Sequence, residues 1–143
     1  MKNLPKTNNP LVIRTDAGNQ QAWKSICKLI RAPVPAVDGP FYAYVEFLDD
    51  ADFRRLSQEE LLARVPDGYK HTFLFVVDAV AMSHPEFPIL VLDLDSDGQG
   101  RSFRAVPSQI QSIENNLSIG NMRFQEFADS VDSDGIFRGF PGL

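Results

Sequence analysis

The sequence predicts a single α/β (or α+β) domain on a mixed five-stranded sheet, in the order βαβαβββα with a short C-terminal helix. Three observations carry this expectation. Five short β-prone runs are spread over 143 residues, a length suited to one core. Helical periodicities separate the first three runs by more than the dozen residues a parallel crossover needs, so these strands should run parallel with right-handed crossovers. The links at 79–88 and 95–100 are short, which suits antiparallel neighbours.

Residues 1–10 form a polar N-terminal arm with Pro5, Pro10 and three asparagines, and residues 11–143 make up the domain. The run 11–16 (LVIRTD) reads as the first strand. Residues 20–30 read as a helix, because Trp23, Ile26, Cys27 and Ile30 recur at the spacing of one helical face and Asn19 can cap it. Three prolines and a glycine make 31–40 a loop. The run 41–48 (FYAYVEFL) is strongly β-prone and should be the second strand.

The second helix has the clearest signature. Ser57 and Glu60 make a capping box, Leu56 and Leu61 a hydrophobic staple, and Pro66-Asp67-Gly68 closes it. The nearly all-apolar run 71–78 (HTFLFVVD) predicts a third strand buried on both faces. Strands four and five fall at 89–94 and 101–106, joined by a hairpin with an Asp-Gly turn, and the link 79–88 shows no helical period. Ser108 and Gln111 repeat the capping-box spacing ahead of a stripe of Ile110, Ile113 and Leu117. A short amphipathic stretch covers 124–131. Asp132–Gly135 looks like a turn, and the tail to Leu143 reads as irregular chain.

Composition excludes several function classes. A pI near 4.9 argues against nucleic acid or an anionic membrane as partner. The net charge of −5 is uneven: residues 1–71 carry 10 basic and 9 acidic side chains, and residues 72–143 carry 4 and 10. No apolar stretch near the N-terminus has signal-peptide length, so cytoplasmic residence is expected. The lone Cys27 lies on an apolar stripe and reads as a buried small hydrophobe. No cofactor is expected: Gly18 stands alone where a dinucleotide loop needs three glycines, and no Gly-x-Ser-x-Gly elbow occurs.

The topology names one edge for function. Asp16, Asp49, Asp50 and Asp78 follow the first three strands, and His84 and Ser108 should open onto the same rim. Ligands of open α/β sheets bind outside the carboxyl ends of the strands. Asp16, Asp78 and His84 are the acid/base candidates there, and the six residues together form a candidate ligand or cation site. Aspartate after a strand also serves as an ordinary helix cap. The run 93–98 imitates a calcium loop, but Arg104 stands where the bidentate acid belongs, so no metal site is assigned.

Residues 4–16, 71–78, 112–127 and 134–140 resemble a small uncharacterised bacterial domain family, with Ser-Ile-Glu-Asn-Asn-Leu-Ser-Ile the most distinctive segment. That resemblance implies a bacterial, soluble, free-standing domain and transfers no activity. Two readings follow. The first is a cytosolic, non-enzymatic protein-binding or regulatory module, in one version an acidic inhibitor of a basic enzyme, with Phe137, Arg138 and Phe140 as contact candidates. The alternative is a small enzyme or ligand binder on the aspartate rim.

Overall fold

A computed structural model of the chain describes residues 1–95 and 100–141. The elements are β1 (Leu11–Arg14), α1 (Gln20–Arg31), β2 (Glu46–Leu48), α2 (Gln58–Ala63), β3 (Phe73–Val77), α3 (Ala79–Ser83), β4 (Ile89–Asp93), β5 (Ser102–Ala105), α4 (Ile110–Ser118), α5 (Phe124–Ala128) and β6 (Ile136–Phe137). Single 3₁₀ turns cover Ala51–Phe53 and Pro107–Gln109. The mixed α/β fold is as expected, with six strands in the order β2-β1-β3-β4-β5-β6 instead of five. Only β4 runs against the others.

Both faces of the sheet are covered, which is why the central strands are apolar throughout. Val12, Phe75, Val91 and Phe103 face α1, α4 and α5, where Trp23, Ile26, Ile113 and Phe127 meet them. Leu11, Ile13, Leu74, Val76 and Leu92 face the other way, against Leu61 of α2, Phe53 and Leu4. Leu4 is 2% exposed, and its N–H donates to the Arg64 carbonyl at 2.8 Å. The N-terminal arm is therefore a strap over the α2 face, although its composition reads as polar.

Local chemistry sets the helix ends. Asn19 caps α1 by accepting from the Ala22 N–H at 3.0 Å, and takes the left-handed φ of 45° that asparagine tolerates. The Ser57–Glu60 capping box forms in full. The box expected from Ser108 and Gln111 does not form. Pro107, with its fixed φ, starts a 3₁₀ turn that takes Ser108 inside it, and α4 begins at Ile110 without a side-chain cap.

Three further expectations are corrected. The link 79–88 contains the short helix α3, capped by Asp78. The second strand shrinks from 41–48 to Glu46–Leu48, because side chains of α4 take the hydrogen bonds of its first half: Glu114 accepts the Tyr44 N–H, and Asn115 donates to the Tyr42 carbonyl. The tail is irregular over 138–141 but contains one short strand. The Asp132–Gly135 turn, closed by a 2.8 Å hydrogen bond with Gly135 at φ 82°, delivers β6 alongside β5. The expected hairpin turn at 96–99, with part of the calcium-like run, lies outside the described residues.

Phe137 closes an aromatic cluster, with ring centroids 5.3 Å from Phe127 and 5.0 Å from Phe140. Its side chain is fully buried. Replacing it by alanine should remove about 3–5 kcal/mol of stability, read from urea unfolding, and a loss below about 1 kcal/mol would contradict its place in the core.

Candidate functional site

At the carboxyl edge of the parallel strands the dominant group is Arg14, the last residue of β1, with a side chain only 2% exposed. Its Nε donates to the Asp16 carbonyl at 2.8 Å, and Nη2 reaches the Ala17 and Gly18 carbonyls. Nη1 donates to the Gln20 Oε1 at 2.6 Å and to Asp49 at 3.2 Å. Every N–H of the guanidinium is engaged, and the group lies 5.7 Å from the Trp23 ring. Arg54 takes the other oxygen of Asp49 at 2.7 Å.

Of the remaining rim residues, Asp50, Asp78 and His84 are similarly occupied. Asp50 caps the 3₁₀ turn and pairs with Lys2 at 2.6 Å, an ammonium that holds its carboxyl below the usual range. Asp78 caps α3 and takes both Nη atoms of Arg104, at 3.0 and 2.7 Å. His84 ends α3, and its Nδ1 accepts the Glu86 N–H at 3.0 Å. Ser108 is exposed within its 3₁₀ turn. Asp16 is half-buried, and among the described residues its carboxylate accepts no hydrogen bond. The residues share an edge, yet the structure splits them: Asp49 joins Arg14, while Asp78 joins Arg104 across the sheet. Among the described residues no three His, Cys, Asp or Glu side chains converge as metal ligands.

Of the other sequence candidates, Phe137 and Arg138 are engaged within the fold. Phe137 is core, which corrects its placement on a contact surface. Arg138 holds Glu86, Asp132 and Asp134 at 2.8, 2.7 and 2.6 Å, and it keeps the Glu86 and Asp134 carboxyls below their ordinary range. Phe140 stays 43% exposed. Burial pushes the Cys27 thiol up to about 11, so it is a poor nucleophile.

The opposite edge is different. A cleft of about 430 Å³ opens there between the arm (Asn8, Asn9), Tyr44, the segment leading into β3 (His71) and α4 (Glu114, Ser118). Glu114 is 4% exposed and lines the cleft. Its Oε1 accepts the Tyr44 N–H at 2.8 Å and the Asn115 Nδ2 at 2.7 Å, and its Oε2 accepts the Ser118 hydroxyl at 2.7 Å. All three donors are neutral. His71 sets a ring nitrogen 2.9 Å from the Thr7 carbonyl. A carbonyl oxygen can only accept, so that nitrogen, Nε2, carries the proton.

The model of the family described as domain of unknown function (DUF6924) matches residues 9–140. The chain belongs to this family. No curated protein matches it. Three of the four stretches that carry the resemblance noted above meet at one place in the DUF6924 fold. Residues 4–16 supply Asn8 and Asn9, 71–78 supply His71, and 112–127 supply Glu114 and Ser118 to the cleft.

Sequence reading missed Arg14, Arg104 and Glu114. A signal existed for Glu114: it stands four residues after Ile110, on the Ile110, Ile113, Leu117 stripe, where a charge must be buried. Arg14 likewise continues a strand with no exposed position. Arg14→Met in the DUF6924 domain should cost about 3–5 kcal/mol, because the loop carbonyls and Asp49 lose a buried cation. Urea unfolding measures this, and a near-neutral variant would show that the clamp is dispensable.

Proposed function

We propose that this domain is a non-catalytic protein-binding module of the bacterial cytoplasm, engaging a basic partner at the amino edge of its parallel strands. One observation carries the reading. Phe41, Tyr42 and Tyr44 are 41%, 43% and 60% exposed within four residues, and Tyr44 walls a cleft containing a buried carboxylate. Exposed tyrosines give large contact area at low entropic cost and are enriched at interfaces. The segment is pre-organised, since Glu114 and Asn115 hold its backbone to α4. A net charge of −5 favours a basic partner by long-range attraction. No helix among the described residues is long and apolar enough to cross a membrane. An inhibitor of a basic enzyme is one concrete form of this reading.

Support for catalysis at the carboxyl edge is weaker, because Asp49, Asp50 and Asp78 are bound in ion pairs. A second reading, a small-ligand binder there, draws on a cavity of about 480 Å³ lined by Thr15, Asp78 and Arg104.

The test is affinity capture from the organism that makes the protein, using the intact domain. A basic protein recovered in near-stoichiometric amount by the wild type and by Asp16→Ala, and lost with Tyr42→Ser/Tyr44→Ser, is the expected result. Recovery of no such protein, or equal recovery by the double variant, would overturn the reading.

A further inference from the structure

Within that reading, the cleft on the amino edge has a chemistry of its own. Glu114 is buried, satisfied by three neutral donors, and absent from the ion pairs formed among the described residues. The other carboxylate of comparable burial among the described residues has a cation: Asp93, 1% exposed, is held through one oxygen by the Nε and Nη2 of Arg101. A buried charge with no counter-charge is costly even when hydrogen-bonded, and a cation arriving from outside recovers part of that cost. Glu114 faces a cavity through which such a cation can arrive.

The surroundings favour a donor-rich cation. His71 lines the same cleft and commits its Nε2–H to the Thr7 carbonyl. Glu114 Oε2 accepts one hydrogen bond and has capacity for a second. Tyr44 adds an aromatic ring, on which a guanidinium or ammonium can stack. Helix α4 ends at Ser118, so the negative end of its dipole lies at the same mouth. Lys70 is the one cation lining the cleft, and it is an exposed residue whose long side chain can turn into water.

We infer that the Glu114 cleft is a socket for a cationic side chain, an arginine or lysine of the basic partner, and that Glu114 is its anionic anchor. The inference rests on the protein-binding reading, and it assigns the ligand class.

The probe is Nα-acetyl-arginine amide, with Nα-acetyl-lysine amide beside it and Nα-acetyl-citrulline amide as the uncharged isostere. Each is titrated into the ¹⁵N-labelled domain and followed by amide chemical shifts. The arginine or lysine compound should give saturable shifts at Tyr44, Asn115 and Ser118 in the millimolar range, with citrulline about tenfold weaker or worse. Glu114→Gln keeps the Oε1 acceptor for the Tyr44 N–H and should lose the arginine response by a similar factor. No saturable shift at those amides, an equal response to citrulline, or an undiminished response in folded Glu114→Gln would overturn the inference. If that variant does not fold, the arginine–citrulline comparison on the wild type decides alone. A captured partner that binds Glu114→Gln as well as wild type sinks the socket and leaves the protein-binding reading standing. Arginine binding without any captured partner does the reverse.

Discussion

The buried guanidinium of Arg14 is the constraint on which the rest of the carboxyl edge depends. It closes the loop after β1, fixes the first turn of α1 through Gln20, and holds β2 in place through Asp49. A buried arginine is tolerated only when its donors are satisfied, and this one is satisfied by five acceptors drawn from three segments of chain. The consequence is functional as well as structural. The edge where open α/β sheets usually bind ligands is here occupied by the protein's own ion pairs, with Asp78 and Arg104 closing the other end.

Polar side chains therefore do opposite jobs at the two edges. At the carboxyl edge, Asp49 and Asp78 meet arginines, Asp50 meets Lys2, and these charges cancel locally. At the amino edge, Glu114 and Asn115 of α4 meet backbone and neutral groups, and Glu114 forms no ion pair among the described residues. These contacts also explain why the β-prone segment 41–45 does not join the sheet. Phe41 bonds to Val34 and Tyr42 and Tyr44 bond to a helix, and the aromatic rings of the segment stay exposed at the surface.

Much of the fold is legible in the sequence because local signals and burial agree. The apolar run 73–77 is a central strand buried on both faces, the Ser57–Glu60 box caps a helix, and link lengths give the strand directions. The misreadings arise where tertiary contacts override a local pattern. Residues 41–45 look like a strand until Val34 and α4 supply partners for Phe41, Tyr42 and Tyr44. Leu4 looks like part of a polar arm until the sheet needs covering over Leu11 and Leu74. The short pair Ile136 and Phe137 has no strand signature of its own and becomes β6 by docking on β5. The candidate site fared differently. The aspartates of the carboxyl edge stand out because they follow strands, but Arg14 and Arg104 lie 35 and 26 residues from the Asp49 and Asp78 they hold. Glu114 is inconspicuous in a polar-looking helix, and only its position on the apolar stripe marks it.

The central claim is that the amino edge, not the carboxyl edge, meets a partner. Amide hydrogen exchange of the domain with and without its captured partner tests this most directly. The account predicts added protection in residues 41–46 and 114–118. Protection confined to residues 15–20, 49–57 and 78–84, with 41–46 unchanged, would contradict it.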